Sequence, residues 1–508
     1  MNRLKKVKSS QCATLNYNKA NSVQVESTFV RALPGFSIVG MANQSIQESK
    51  DRIKSALLSI DFKFPAQKIT VSLSPSDLKK EGSHFDLVIA LVIALQNEQA
   101  TCEDFYVFGE LGLDGKVKKT TTIFPIILSL ASQNEKIKVV VPKDSLSKIR
   151  QIPNVESYGV ETLSEAIAFF TNPTCRQAKD ETIDFNFGKS IIINNQEYFY
   201  NPIFELDFKE IKGQARAKRA MLISAVGMHN ILLEGSPGCG KSMSIKRLRH
   251  ILPPMSIAEM LQSNAYKSLN EEDEELSSVR AFRSPHHTSS KPSIFGGGSS
   301  HAMAGECALA HNGILFFDEF PHFSKMILES LREPLEDHKV LISRVQSKVS
   351  YETKFLFAAA QNPCPCGNLL SNSHECRCSD LEIGRYKNRI SEPLLDRIDM
   401  YLQMSEETSH EEGLGSNDMF EQVLKAFAFQ KERGQESLNG KLSEEETAKY
   451  CLCDNQAKET LHVASARFGL SHRGINKTLR VARSIADLIC EPTIKKEHIL
   501  EALSFRRR

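Results

Sequence analysis

The sequence predicts an α/β protein of roughly three domains, and three patterns in it carry that reading. Short β-rich runs alternate with helical patterns through the first third. Apolar runs in the middle stop abruptly at acids or an amide, as buried parallel strands do. A polar stretch containing glycine then gives way to a helical C-terminal region. The expected boundaries are 1–172 for an N-terminal α+β domain, 173–204 for a polar linker, 205–404 for the central α/β unit and 405–508 for the helical region.

In the first domain, KITVSLS at 68–74 and KVVVP at 138–142 read as strands, and 45–60 and 85–96 read as helices. Residues 172–200 are polar and have no sustained helical period, which marks them as a connection. The acidic run at 271–275 reads as a solvated loop inside the central unit. At 405–418, SEETSHEEGLGSND marks a hinge.

Composition narrows the function classes. Hydrophobic residues make up 41% and charged residues 25%, and no stretch approaches the roughly 20 uninterrupted apolar residues of a membrane span. The basic N-terminus has no apolar core of a secretory signal, so a cytoplasmic protein with no membrane partner is expected. A net charge of +2 means that any nucleic-acid binding must come from local basic patches. Of 12 cysteines, Cys364, Cys366, Cys376 and Cys378 are packed together and the others scattered, a pattern of reduced thiols plus one cluster rather than a disulfide framework.

The strongest chemical signal is ILLEGSPGCGKS at 231–242, an apolar strand, a glycine loop and a helix start. Gly235, Gly238 and Gly240 let backbone amides turn toward phosphates, and Ser236, Pro237 and Cys239 complete the loop. Lys241 is placed to reach the β- and γ-phosphates of a nucleotide such as ATP, and the Ser242 hydroxyl to ligate Mg²⁺. NGILFFDEF at 312–320 reads as a buried strand delivering two carboxylates to its C-terminal edge. Asp318 then serves the Mg²⁺ and Glu319 orients the attacking water. A third apolar strand, KFLFAAAQNP at 354–363, ends in Asn362. Between them lie a helix at 324–337 and an alternating stretch at 339–354 with the period of a β-hairpin.

These blocks, with LPGFSIVGMANQSIQESKDRIKSAL (33–57), SPSDLKKEGSHFDL (74–87), FGELGLDGKV (108–117), FRSPHHTSS (282–290), AAAQNPCPCG (358–367), SEPLLDRID (391–399) and LSHRGINKTLRVARSIADL (470–488), resemble the magnesium-chelatase-like AAA+ ATPases in their competence branch. The resemblance runs nearly end to end. It implies an AAA+ ATPase core followed by a helical lid, and a homohexameric ring with nucleotide between neighbouring subunits. It also implies that Asn362 senses the γ-phosphate, that Arg397 is the trans arginine with Arg389 in reserve, and that Arg473 is the lid arginine acting in cis. A planar, permanently charged guanidinium suits both arginine roles.

The same resemblance places a helix-2 insert at 282–298 and a presensor hairpin at 339–354, elements that grip DNA in related helicases. Arg344 and Lys348, and more weakly Lys291, are the implied DNA contacts, which would give salt-sensitive, sequence-independent affinity. A solvated hairpin is the competing reading. His286 and His287 belong to a block of the family, with loop packing and substrate contact both open. Cys364-x-Cys366 and Cys376-x-Cys378 supply four thiolates, enough for a structural zinc site; four reduced thiols in a loop is the alternative.

The N-terminal domain resembles the fold shared by ribosomal protein S5 domain 2 and Lon proteases. His84 stands where the Lon nucleophile is expected, with Ser83 one residue off, and the base position is apolar near Phe124, which speaks against serine-lysine proteolysis. The function implied is an ATP-driven DNA motor, a branch-migration helicase working on single-stranded or branched DNA beside recombination proteins in natural transformation. A chelatase-type motor or a Lon-like protein-remodelling ATPase is the alternative.

Overall fold

The structure, a computed structural model, describes residues 7–16, 19–172, 174, 187–270, 272, 274–297, 303–344, 347–405 and 413–507, without the side chains of 343, 344, 347 and 348. Two compact units divide it, one of residues 1–185 with 264–276, the other of 186–263 with 277–508.

The first unit is built on β1 (Lys8–Asn16), β2 (Lys19–Val30), β3 (Gly35–Val39), β4 (Lys68–Ser74), β5 (Cys102–Val107), β6 (Glu110–Leu111), β7 (Val117–Lys118), β8 (Ile137–Pro142) and β9 (Val155–Val160). Among the described residues, seven of these form one mixed sheet in the order β3-β4-β2-β1-β5-β8-β9, and β6 pairs with β7. Strand β4 buries Ile69, Val71 and Leu73 in strict alternation, as a strand with one covered face must. The helix Asp86–Ala94 is apolar on every side, and Leu87 through Ile93 are all fully buried, as befits a core helix. Its first residue, the buried Asp86, is anchored by Arg52 at 2.9 Å from the helix Gln44–Ser59.

The second unit contains β10 (Lys189–Ile193), β11 (Gln196–Tyr200), β12 (Ile231–Gly235), β13 (Met255–Ser256), β14 (Phe282–Arg283), β15 (Ile314–Phe317), β16 (Lys339–Arg344), β17 (Ser347–Glu352), β18 (Leu356–Gln361) and β19 (Met400–Met404). Its main sheet is wholly parallel, in the order β14-β15-β18-β12-β19. Every residue of β12, β15 and β18 is buried, which explains why these strands read as near-continuous apolar runs. Parallel order also puts the C-terminal ends of β12, β15 and β18 on one edge. The glycine loop, the Asp318-Glu319 pair and Asn362 therefore emerge side by side, as ligand-binding loops of open parallel sheets do.

Two local expectations are corrected. Within the polar connection, 189–200 folds as the β10–β11 hairpin, and β11 also pairs with β13. Its turn is Asn194-Asn195, with φ of +51° and +62°, the left-handed pair that a two-residue hairpin of matching twist demands. The single helix expected at 324–337 is two, Lys325–Ser330 and Arg332–Glu336. Pro334 has no N–H for the Ser330 carbonyl, so the ladder is interrupted there.

Helices Ser416–Glu432, Glu444–Tyr450, Asn455–Phe468, His472–Asp487 and Lys496–Ser504 make up the C-terminal region. They bury Met419, Phe420, Val423, Val481, Ile485 and Ile499 in the same core as β12 and β18. Among the described residues, no helix is long and apolar enough to cross a membrane. Of the acidic run at 271–275, positions 271 and 273 lie outside the described residues, as do 406–412 of the hinge.

Candidate functional site

The loop between β12 and the helix Lys241–Leu248 takes its shape from glycine. Gly238 and Gly240 have φ of +82° and +92°, where a side chain is strained. Gly235 has no room instead: a Cβ there would lie 2.7 Å from both Cys239 Sγ and the Met404 carbonyl oxygen. The Lys241 ammonium turns inward and donates to the carbonyls of Gly235 at 2.6 Å and Ser236 at 2.9 Å, and to Asn362 Oδ1 at 3.3 Å. Burial lowers its pKa from the ordinary lysine value, with nearby Asp318 and Glu234 pulling the other way. Ser242 Oγ donates to Asp318 Oδ2 at 2.8 Å. The structure thus brings Lys241 and Asn362, and Ser242 and Asp318, together as two hydrogen-bonded pairs at one sheet edge. Hard oxygen donors from Ser242 and Asp318 beside a glycine loop could hold Mg²⁺ on a bound nucleoside triphosphate.

Glu319 follows Asp318 in the left-handed region, φ +50°, a rare conformation for a residue with a side chain. The Glu319 N–H donates to Asp318 Oδ1 at 3.0 Å, which helps hold that turn. Its carboxylate sits between two imidazoles, with His287 Nδ1 at 3.4 Å and His322 Nδ1 at 3.5 Å from Oε2. His286 packs against His287 with ring centroids 4.2 Å apart and planes tilted by 35°, and meets Thr288 Oγ1 at 2.7 Å. The histidine pair that the sequence left undecided therefore borders this acid. His322 was not singled out; its signal was its place three residues after Glu319.

Glu234, the penultimate residue of β12, was missed as well. It is buried and accepts from Gln361 Nε2 at 2.6 Å and Gln403 Nε2 at 3.3 Å, donors from the strands on either side. The available signal was an acid inside an otherwise apolar run.

Arg397 and Arg473 converge on one acid within this chain. Both guanidiniums pair with Glu336; Arg397 Nη1 also donates to the Pro393 carbonyl at 2.5 Å, and Arg473 lies 3.9 Å from Asp396. Arg389 is exposed. Lys291 opens the helix Lys291–Phe295 and is exposed. In the β16–β17 hairpin, Arg344 pairs with Ser347 and Lys348 with Ser343 in register, but the side chains of Arg344 and Lys348 lie outside the described residues.

The four cysteine sulfurs gather within 4.8 Å of one another, Cys364 to Cys366 at 3.4 Å and Cys376 at 3.7 Å from each. Backbone N–H groups of Asn368 and Arg377 draw the Cys366 thiol down to about 6. Such a cluster could bind a metal ion with sulfur ligands.

In the first unit, Ser83 Oγ donates to the Glu110 carboxylate and not to a lysine. His84 is buried, with Nε2 at 3.0 Å from the Ala13 carbonyl and its pKa lowered by burial to about 4; Phe124 is a core residue.

A parallel sheet whose strand ends carry a glycine loop, two acids and an amide has the arrangement of phosphate-loop nucleotide-binding proteins. Three family descriptions match in turn: subunit ChlI of Mg-chelatase over residues 25–145, magnesium chelatase subunit ChlI over 207–412, and its C-terminal part over 413–506. The competence protein ComM of Haemophilus influenzae is 35% identical over 504 residues, covering 96% of this chain and 95% of that protein. YifB of Salmonella typhimurium is 34% identical, covering 97% and 96%, and YifB of Escherichia coli 33%, covering 97% and 96%. The chain belongs to the magnesium-chelatase-like family, in its ComM/YifB branch.

Proposed function

We propose that the chain is a cytoplasmic AAA+ ATPase that works as a homohexameric ring and moves DNA, acting as a branch-migration helicase on single-stranded or branched recombination intermediates. The observation that carries the ATPase part is the pair of hydrogen bonds Lys241–Asn362 and Ser242–Asp318, side by side at one sheet edge. ATP with Mg²⁺ supplies the reactive phosphoanhydride and neutralises its charge. The residues do the rest by position: Lys241 leaves its loop carbonyls for the β- and γ-phosphates, Ser242 and Asp318 hold the metal, Glu319 orients water, and Asn362 reads the γ-phosphate. Arg397 acts on a neighbouring subunit's nucleotide and Arg473 on its own, so both must exchange Glu336 for phosphate when the ring forms. The cysteine cluster holds a structural Zn²⁺.

The DNA part rests on the likeness to ComM, a competence protein, and on the basic positions Arg344, Lys348 and Lys291. In the first unit, Ser83 bonds a carboxylate and the core residue Phe124 stands near the expected base position, so the serine-lysine dyad of a Lon-like peptidase is not assembled there. ATP turnover with and without single-stranded and branched DNA, beside sedimentation with ATP, tests the reading. DNA should stimulate turnover, and Lys241→Ala should abolish it. Turnover indifferent to every DNA, from a chain that stays monomeric with ATP, would sink the motor reading.

A further inference from the structure

The cysteine cluster lies against the nucleotide site, and its connections give it more to do than staple a loop. Cys364 is two residues beyond Asn362 and is buried. Gly367, just past Cys366, packs on the phosphate loop: with φ at +82°, a Cβ there would lie 2.7 Å from Pro237 Cδ and 2.8 Å from Cγ. The chain leaves the site after Gly367 and returns at Cys376 and Cys378, directly before the helix Asp380–Lys387. That helix starts with a reciprocal cap, Ser379 and Glu382 each bonding the other's backbone. It carries the buried Tyr386 back to the end of β18, with its phenol beside the backbone of Asn362. A metal bound by the four sulfurs thus closes a ring that grips Asn362 from both sides, through Cys364 along the chain and through Tyr386 across the helix.

We infer that metal bound at Cys364, Cys366, Cys376 and Cys378 positions Asn362 beside the phosphate loop, so that ATP hydrolysis depends on the occupancy of a site that touches no nucleotide. This rests on the zinc reading above and adds a role to it. Phosphate binding draws mainly on loop amides and Lys241, which the metal does not hold. Placement of the γ-phosphate sensor does depend on it. Metal loss should therefore lower kcat much more than it weakens ATP binding.

The test uses the full chain purified without chelator. Metal per chain, ATP affinity by calorimetry and kcat at saturating ATP are measured for wild type, Cys376→Ser/Cys378→Ser and Tyr386→Phe. Expected are about one Zn²⁺ per wild-type chain and its loss from the double variant. In that variant kcat should fall on the order of tenfold while ATP affinity changes by less than about threefold. Tyr386→Phe should keep the metal and lose several-fold in kcat. If the double variant does not fold, as circular dichroism would show, the wild type stripped by chelator and reloaded with Zn²⁺ alone carries the comparison. Metal-free wild-type protein overturns the inference, as does a metal-free variant or stripped enzyme with full kcat. A wild type that binds zinc but hydrolyses no ATP would instead fail the ATPase reading.

Discussion

At the scale of single residues, the site divides into groups that backbone pattern places and groups that only tertiary packing places. Lys241, Ser242, Asp318 and Asn362 were legible because each sits at a fixed offset from a glycine loop or from the end of an apolar strand. His287 was readable only as part of a block without a role, because its approach to Glu319 follows from β14 lying beside β15, which no local pattern encodes. Glu234 was hidden for the same reason, since its amide partners come from β18 and β19. On the proposed role of Glu319, the two imidazoles beside it would position its carboxylate, because an acid that orients water must hold one direction. In His287→Ala, kcat for ATP should fall about three- to tenfold with ATP affinity unchanged, and His287→Asn should recover part of it. Steady-state kinetics with calorimetric ATP binding decides this; equal losses in kcat and affinity would instead mark a residue that shapes the pocket.

At the scale of elements, type was legible where periodicity ran long, and failed where one or two residues decided the backbone. The β10–β11 hairpin escaped because its signal is the Asn194-Asn195 pair in a polar stretch, and the helix at 324–337 was read through Pro334 although proline breaks the ladder. The C-terminal helices show what a period cannot reveal. The helix His472–Asp487 has Arg483 and Asp487 wholly buried, 3.0 Å apart on one face, with Arg433 from another segment 2.6 Å from the same carboxylate. Asn439 Nδ2 donates to Asp487 at 2.7 Å, and Arg483 Nη1 donates to the Pro492 carbonyl at 2.9 Å. Each buried charge is tolerable only because the other is present. Asp487→Ala leaves two guanidiniums without their carboxylate and should cost about 3 to 5 kcal/mol, read as a fall in the denaturant midpoint of the second unit. A midpoint within error of wild type would show that the network contributes nothing to stability.

At the scale of the whole chain, buried histidines tie stability to pH in both units. Burial lowers His84 in the first unit to about 4, and His229 and His311 in the second also to about 4. Their hydrogen bonds fit the neutral ring: His311 Nδ1 accepts the Lys354 backbone N–H at 3.2 Å, and His229 Nε2 meets Ser484 Oγ at 2.7 Å. In the unfolded chain each histidine takes up a proton near pH 6.5, whereas the folded chain resists until about pH 4. Below pH 6.5 the unfolded state therefore binds more protons, so stability is full above that value and falls as pH drops toward 4. At pH 5.5 the loss is on the order of 1 kcal/mol per histidine, and His338, which burial lowers to about 3, adds a third such group in the second unit. Carboxylates titrate mostly below this window, so the decline between pH 6.5 and 5.5 belongs to histidine. Calorimetric unfolding at pH 7.5 and 5.5 should show the transition of the second unit moving several degrees lower in acid, and His311→Gln should reduce that shift while lowering the transition at pH 7.5. A transition temperature unchanged between the two pH values would show that these imidazoles protonate within the fold at little cost.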